Sequence, residues 1–213
     1  SFINVIISGT IRVNTTADND WVGFVFGYQG PDTLDSNYYD FYLFDWKQED
    51  QTFSGFFGAE GFALTQMQGN ITNLPEAFSG KQGPFANLLA SDYGGTKGWN
   101  DLTDYNFALT YTNTRTVISI EGDTIFDVYG CFGPGRFGFY NYSQSDVIYS
   151  DFSYRVAASF EVVTPEVCVG DTTFLRALSD SCFTNAGVQE NNTIVGWDWD
   201  LGDGSTSSDT NVY

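Results

Sequence analysis

Histidine is absent from this 213-residue chain, and lysine and arginine together number 8 against 27 aspartates and glutamates. Without an imidazole there is no histidine base for a serine or cysteine nucleophile, and no G-x-S-x-G elbow occurs. Zinc loses its commonest nitrogen ligand, and the cysteines lack paired metal spacing. The net charge of −19 repels phosphate backbones and anionic lipid, which argues against nucleic acid or a membrane surface as partner. No run of about 18 apolar residues exists, so no helix reads as membrane-inserted. No secretory leader is visible. The chain opens on a strand-like segment, which reads as a point inside a longer protein, with a leader and earlier strands upstream. Glycines 55, 58 and 61 do not lead a strand into a helix, so nucleotide binding gets no support. Cysteines number three. Cys168 and Cys182 lie close in sequence and form the disulfide candidate. Cys131 is left over, either a small buried apolar residue or the partner of a segment outside the chain. Three cysteines do not fix the redox compartment.

What is present points to β-structure. Aromatics make up 18% and glycines number 23, while charged residues are only 16%. That is the profile of many short strands joined by Gly-rich turns, and it is far too aromatic for a disordered chain. FINVIISGTIRVNTT (2–16) reads as one or two strands. WVGFVFGY (21–28) is apolar on both faces, with Trp21, Gly23, Val25 and Gly27 on one side and Val22, Phe24, Phe26 and Tyr28 on the other. It reads as a central strand covered twice. The loop 29–37 is a turn by composition, and YYDFYLFDWKQ (38–48) returns as a hairpin partner. Residues 59–69 form a strand. Residues 76–95 read as a long loop with one helical turn near Phe85–Ala90. NFALTYT (106–112) and TRTVISI (114–120) make a hairpin around Asn113, and 116–128 a second one turning at Glu121-Gly122-Asp123. Strands at 135–142 and 146–154 complete the set. No amphipathic helix longer than 11 residues and no tandem repeat is present. The texture changes near residue 157, and 160–213 contains Arg176 as its only basic residue. The expected domains are 1–157 and 158–213.

Two stretches carry resemblance. GTIRVNTTADNDWVGFVFGYQ (9–29) followed by DFYLFDWKQ (40–48) resembles the thrombospondin C-terminal domain. The likeness continues through GWNDLTDY (98–105), EGDTIFD, GRFGFYNYSQ (135–144) and YSDFSY (149–154), about residues 5–156. It implies a concanavalin-like, L-type lectin-like jelly-roll sandwich with structural calcium. It also implies that the domain begins earlier than this chain, leaving edges for another segment to cover. Asp45 departs from the family, standing where an apolar residue precedes the WK pair. The loop 30–37 is longer than in the animal proteins. Their calcium-rich repeats and cell-receptor contacts have no counterpart here. In the second domain, VCVGDTTF (167–174) and WDWDLGDGSTSS (197–208) resemble a polycystic kidney disease (PKD) domain, a partial immunoglobulin-like β-sandwich. Its core motif is Trp199-Asp200-Leu201-Gly202-Asp203-Gly204. The pairing of domains is similar to modular Bacteroidetes surface proteins, which implies type IX secretion and contact with that machinery.

Asp18-Asn19-Asp20 at the mouth of an apolar strand read in two ways. Ca²⁺ takes several such oxygen ligands at about 2.3–2.6 Å. Asp and Asn also cap strands as plain polar turns. The calcium reading needs partners from other loops, and Asp45 and Asp151 are the candidates. Glu121, Asp123 and Asp127 invite a glycosidase reading, but E-x-D-x-x-x-D is not the laminarinase spacing E-x-D-x-x-E, and a turn would put them in solvent. No catalysis is expected. Tyr38, Tyr39, Tyr93, Trp99, Tyr105 and Tyr140 fall in loops or at strand ends, where rings can stack on sugars or simply pack. Asn14, Asn70, Asn141 and Asn191 match the N-glycosylation pattern. The sequence reading is a non-catalytic, calcium-binding adhesion or recognition module of a large extracellular or cell-surface protein. It would bind a glycan or cell-surface protein and sit among neighbouring domains of one long chain. The alternatives are a structural spacer and an accessory region of a secreted polysaccharide-degrading enzyme.

Overall fold

The computed structural model describes residues 2–29 and 38–157, and beyond them the backbone of seven short strands between 160 and 212. The chain divides into two compact units, Ser1–Val156 and Ala157–Tyr213. In the second unit Phe160–Val162 pairs with Leu175–Ala177, and Trp199–Asp200 with Thr206–Ser207. Cys182 lies on the strand Cys182–Phe183, paired with Gln189–Glu190, while Cys168 and the rest of the expected PKD sandwich fall outside the described residues.

The first unit is an all-β jelly-roll sandwich. Its strands are β1 (Val5–Val13), β2 (Trp21–Tyr28), β3 (Tyr38–Lys47), β4 (Gln51–Phe53), β5 (Phe56–Gly58), β6 (Gly61–Asn70), β7 (Ala86–Tyr93), β8 (Asp104–Tyr111), β9 (Arg115–Ile120), β10 (Asp123–Tyr129), β11 (Arg136–Tyr142) and β12 (Val147–Val156). One antiparallel sheet runs β10-β9-β8-β1-β12 and the other β11-β2-β3-β6-β7, with β4-β5 a separate ribbon. β1 shows why the first sheet faces one way: Val5, Ile7, Ile11 and Val13 alternate inward while Ser8, Thr10 and Arg12 point outward. The core between the sheets is aromatic. Phe24 lies 4.8 Å from Phe44 and 4.9 Å from Phe107 between ring centroids, and Phe26 meets Tyr111 edge-on at 5.0 Å. Each such pair adds about 0.5–1.5 kcal/mol beyond burial.

The second sheet is covered on its outer face too, as the apolar alternation of β2 requires. Val22, Phe24 and Phe26 enter the main core, while Val25 packs into a second cluster built on Phe41, Leu43, Met67 and Phe85. Residues 71–85 form that cover, through Ile71, Ala77 and Phe85. Tyr28 packs with the outer cluster rather than with Phe24 and Phe26. Gly27 at φ 62 breaks the two-residue alternation there, which moves Tyr28 to the other side.

Two further expectations change. Residues 86–93 are a strand, not a helical turn: β7 takes the free edge of β6, and this pairing overrides the helix propensity of Asn-Leu-Leu-Ala. The helical turn lies earlier, as a π-turn over Pro75–Ser79 with proline at its start. Cys131 is exposed and disulfide-bonded, not a small buried apolar residue. The hairpin of β9 and β10 turns on Glu121 (φ 52) and Gly122 (φ 86), the left-handed pair that a two-residue turn demands. On edge strand β12, Tyr154 and Val156 are exposed although their partners Ile7 and Val5 are buried.

Candidate functional site

The acidic triplet meets a lysine. Lys47 ends β3 on the outer face of the second sheet, opposite Trp21, and is 0% exposed. Its Nζ donates to the Asn19 carbonyl at 2.8 Å and to Gln51 Oε1 at 2.9 Å, and lies 3.3 Å from Asp20 Oδ1. It also sits 4.2 Å from the Trp21 ring centroid. Burial pushes the ammonium pKa down, and Asp20, then Asp18 and Glu49, pull it back up. Asp20 is itself 6% exposed, its backbone N–H donating to Gln144 Oε1 at 2.7 Å. The carboxylate next to the apolar strand therefore neutralises a buried cation.

A second buried pair lies beside the first. Asp45 shares the outer face with Lys47, two residues away, and is 1% exposed. Lys81, from the cover segment, places Nζ 2.5 Å from Asp45 Oδ2 and donates to the Phe78 carbonyl. Burial raises the Asp45 pKa, and Lys81 and then Lys47 oppose that rise. The Tyr140 hydroxyl is buried near this carboxylate and has no hydrogen-bond partner among the described residues. Its pKa is pushed well above the ordinary value, by burial first and then by Asp45. Tyr93 is pushed up to about 12 by the same two causes in the same order. Gly23 separates Tyr140 from Asp45 across the sheet: a Cβ there would lie 2.1 Å from the Phe44 carbonyl oxygen.

These pairs place the five residues expected to hold calcium. Asp20 faces Lys47 and Asp45 faces Lys81. Asp151 belongs to the other sheet, at φ 53 in a bulge of β12, where the hydroxyls of Ser150 (3.0 Å) and Thr10 (3.5 Å) donate to its Oδ2. Asp tolerates that left-handed conformation. Asp18 and Asn19 remain accessible and help line a polar cavity of about 330 Å³ with Thr16, Gln48, Glu49 and Asp101. Asn19 Nδ2 donates to Glu49 Oε2 at 3.0 Å. Among the described residues no three acidic, histidine or cysteine side chains surround a metal-sized space. The five residues thus do not fit one ion as a set. The accessible oxygen-bearing side chains near the triplet line the cavity at the Asp18 end.

A second concavity, about 260 Å³, is almost wholly apolar. Val25, Tyr28, Tyr39 and Phe41 of the second sheet form its floor, and Ile71, Leu74 and Phe78 of the cover form its wall. The aromatics named from sequence separate into two groups. Tyr38 and Tyr93 are exposed and Tyr39 lines this cleft. Trp99 is core, its Nε1 donating to the Asp20 carbonyl at 3.3 Å, and Tyr140 is half-buried with its hydroxyl enclosed. Tyr105 packs on Trp46, ring centroids 4.7 Å apart, and its hydroxyl accepts from the Asn100 backbone at 2.9 Å.

Glu121, Asp123 and Asp127 lie on the exposed β9–β10 hairpin, outside either concavity. Asp127 accepts a bidentate pair from Arg115, both bonds 2.7 Å. Sequence reasoning missed Lys47 and Lys81. Lys47 left a signal: with Asp45 it puts two opposite charges on one face of an otherwise apolar strand, which demands buried partners. Lys81 left none, because its role depends on where the cover folds.

The family model described as thrombospondin C-terminal region matches residues 1–158. The chain is 30% identical over 173 residues to thrombospondin-1 of Xenopus laevis, covering 72% of this chain and 14% of that protein. It is 31% identical over 172 residues to thrombospondin-2 of Homo sapiens, again 72% and 14%. The chain spans well under a fifth of the length of these relatives. Among solved structures it is similar to a carbohydrate-binding module, CBM66, from Bacillus subtilis (TM-score 0.48, 11% identity, 72% of this chain and 75% of that one). It is also similar to sheep galectin-11 in complex with glycerol (TM-score 0.46, 5% identity, 73% and 92%).

Proposed function

Through residues 1–158 this chain belongs to the thrombospondin C-terminal family, and from that premise we propose that it is a non-catalytic recognition module of a large secreted or cell-surface protein. The family match over the whole first unit is the observation that carries the reading. The chemistry of the surface agrees with it. Asp127 is committed to Arg115, and the most buried carboxylates, Asp20 and Asp45, are committed to lysines, an arrangement that holds a shape rather than turning over a substrate.

The ligand in this proposal is a glycan or an extracellular protein. Calcium enters it at the Asp18 end alone, where Asp18 would hold the ion with amide and backbone oxygens of the loop, since the carboxylates there form no three-ligand cluster among the described residues. The second domain is proposed as a PKD-like spacer, and the parent as a modular adhesin that leaves the cell by type IX secretion. The test is binding of the 213-residue chain to a broad glycan array and to a panel of extracellular proteins, each in Ca²⁺ and in EDTA. Saturable retention on a defined ligand supports the module. Silence from a folded sample in both buffers turns the reading to a spacer.

A further inference from the structure

The two buried pairs on the outer face of the second sheet differ in how the lysine is provided for. Lys47 Nζ has three oxygen acceptors, from Asn19, Gln51 and Asp20, which matches the protons of an ammonium. Among the described residues Lys81 Nζ has a single hydrogen-bond acceptor, the Phe78 carbonyl, and otherwise lies against the Asp45 carboxyl. Both side chains are buried. Their contact is not an ordinary hydrogen bond. Nζ is 2.5 Å from Oδ2, inside the roughly 2.7–2.9 Å of a lysine–carboxylate bond, yet Oδ2 has no hydrogen-bond partner among the described residues. Cγ is one carbon–oxygen bond beyond Oδ2, so Nζ stands within about 3.7 Å of that carbon. Reacting atoms are near attack at about 3–3.5 Å.

The sheet makes room for this approach. Tyr140, Gly23, Asp45 and Ala63 form one row across β11, β2, β3 and β6, so Asp45 stands between the two smallest side chains and Lys81 can descend on it from the cover. Trp21, 5.6 Å from Nζ, and the Phe78–Tyr140 ring pair enclose the contact. Packing does not call for a carboxyl at this position, since Phe41 and Leu43 on the same face of β3 are apolar core. We propose that Lys81 and Asp45 condense after folding into an intramolecular isopeptide bond that stitches the cover to the second sheet. Burial favours the uncharged carboxyl, so one proton passes from Nζ to Asp45 and leaves an amine against a carboxylic acid. The Nζ–Cγ bond then forms and one Cγ–O bond breaks. That oxygen leaves as water with two protons that began on Nζ. The third remains as the amide N–H, for which the Phe78 carbonyl is the acceptor in place. Nothing is oxidised or reduced, and no co-reactant enters. Condensation replaces a buried ion pair by a neutral amide, which removes its desolvation cost. The fixed geometry supplies the effective concentration that a free amine and acid in water lack. The Tyr140 hydroxyl, unpaired among the described residues, is the donor at hand for the amide oxygen.

The test is intact-mass spectrometry of the folded 213-residue chain after reduction, followed by proteolysis and fragmentation. The expected mass is short by one water, and fragmentation finds a branched peptide that joins Asp45 to Lys81. On a denaturing gel the heated, reduced chain runs ahead of Lys81→Arg, because the bond keeps the unfolded chain more compact. Lys81→Arg keeps the cation without the amine, and it has full mass and no branched peptide. Should Lys81→Arg not fold, Asp45→Leu with Lys81→Met, which leaves no orphaned charge, takes its place. Full mass from a folded parent overturns the inference. So does a water loss that persists in the variant, or one that fragmentation places at any other pair of residues.

Discussion

Lys81→Met breaks the tie between the cover and the second sheet at one point. It leaves the Asp45 carboxylate, 1% exposed, without its nearest counter-charge, while Lys47 stays engaged by Asp20 and Gln51. Removing one partner of a buried pair costs about 3–5 kcal/mol. For a domain of this size, 1 kcal/mol shifts Tm by about 2–4 °C, so the melting temperature should fall by roughly 6–20 °C. Replacing both partners, Asp45→Leu with Lys81→Met, removes the orphaned charge and should return stability to within about 1 kcal/mol of the parent whose pair is still ionic, or above it. The pH dependence has a definite sign. Burial holds the Asp45 pKa above the carboxylate range, so the group favours the folded state most when protonated, and that contribution is lost as pH rises through the raised value. Lys81 opposes this rise, and its removal pushes the value higher. The deficit of Lys81→Met should therefore be full at neutral pH and shrink as pH falls toward the Asp45 value. Urea unfolding of the three proteins at several pH values measures all of this. A single-variant loss below about 1 kcal/mol, or a deficit that grows in acid, would refute the reasoning.

Asp18→Ala, which leaves the Asp20–Lys47 pair intact, should abolish any rise of Tm on adding Ca²⁺, by mass action on the folded state, whereas Asp151→Ala should leave that rise intact. Reversed behaviour in a calcium titration followed by scanning calorimetry would move the ion to the other sheet. Gly23→Ala should cost about 4 kcal/mol or more, or prevent soluble expression, because its Cβ would meet backbone of β3 at 2.1 Å. Asp127→Asn, on an exposed pair, should leave Tm unchanged by thermal melting, and a clear fall would give the Arg115 pair a structural weight not assigned to it.

The sandwich was legible because its signals are local. β2 announced its two covered faces by being apolar at every position, and the β9–β10 hairpin was announced by Gly122, the residue that accepts a left-handed turn position most readily. Where the reading failed, the deciding contact was distant. Asn87 to Ala90 favour a helix in isolation, and only the free edge of β6 makes them a strand. Tyr28 changes faces because Gly27, one residue earlier, takes a positive φ that spacing alone does not reveal. At the site, Asp20 and Asp45 were visible as carboxylates on an apolar strand, but their partners were not. Lys47 left only the signal it shares with Asp45, two opposite charges on one face of an apolar strand, which does not say which partners they take, and Lys81 reaches Asp45 across 36 positions of sequence. Asp151 was chosen for its chemistry, and its conformation explains it better.

The recognition module is tested most directly by retention of the 213-residue chain on intact cells, with heat-unfolded chain as control and Asp18→Ala and Leu74→Asp beside it. The account predicts saturable binding by the folded chain that at least one of the two variants lowers by about tenfold or more. Absence of saturable binding by a folded sample, or binding that both variants and the unfolded control share, would contradict it.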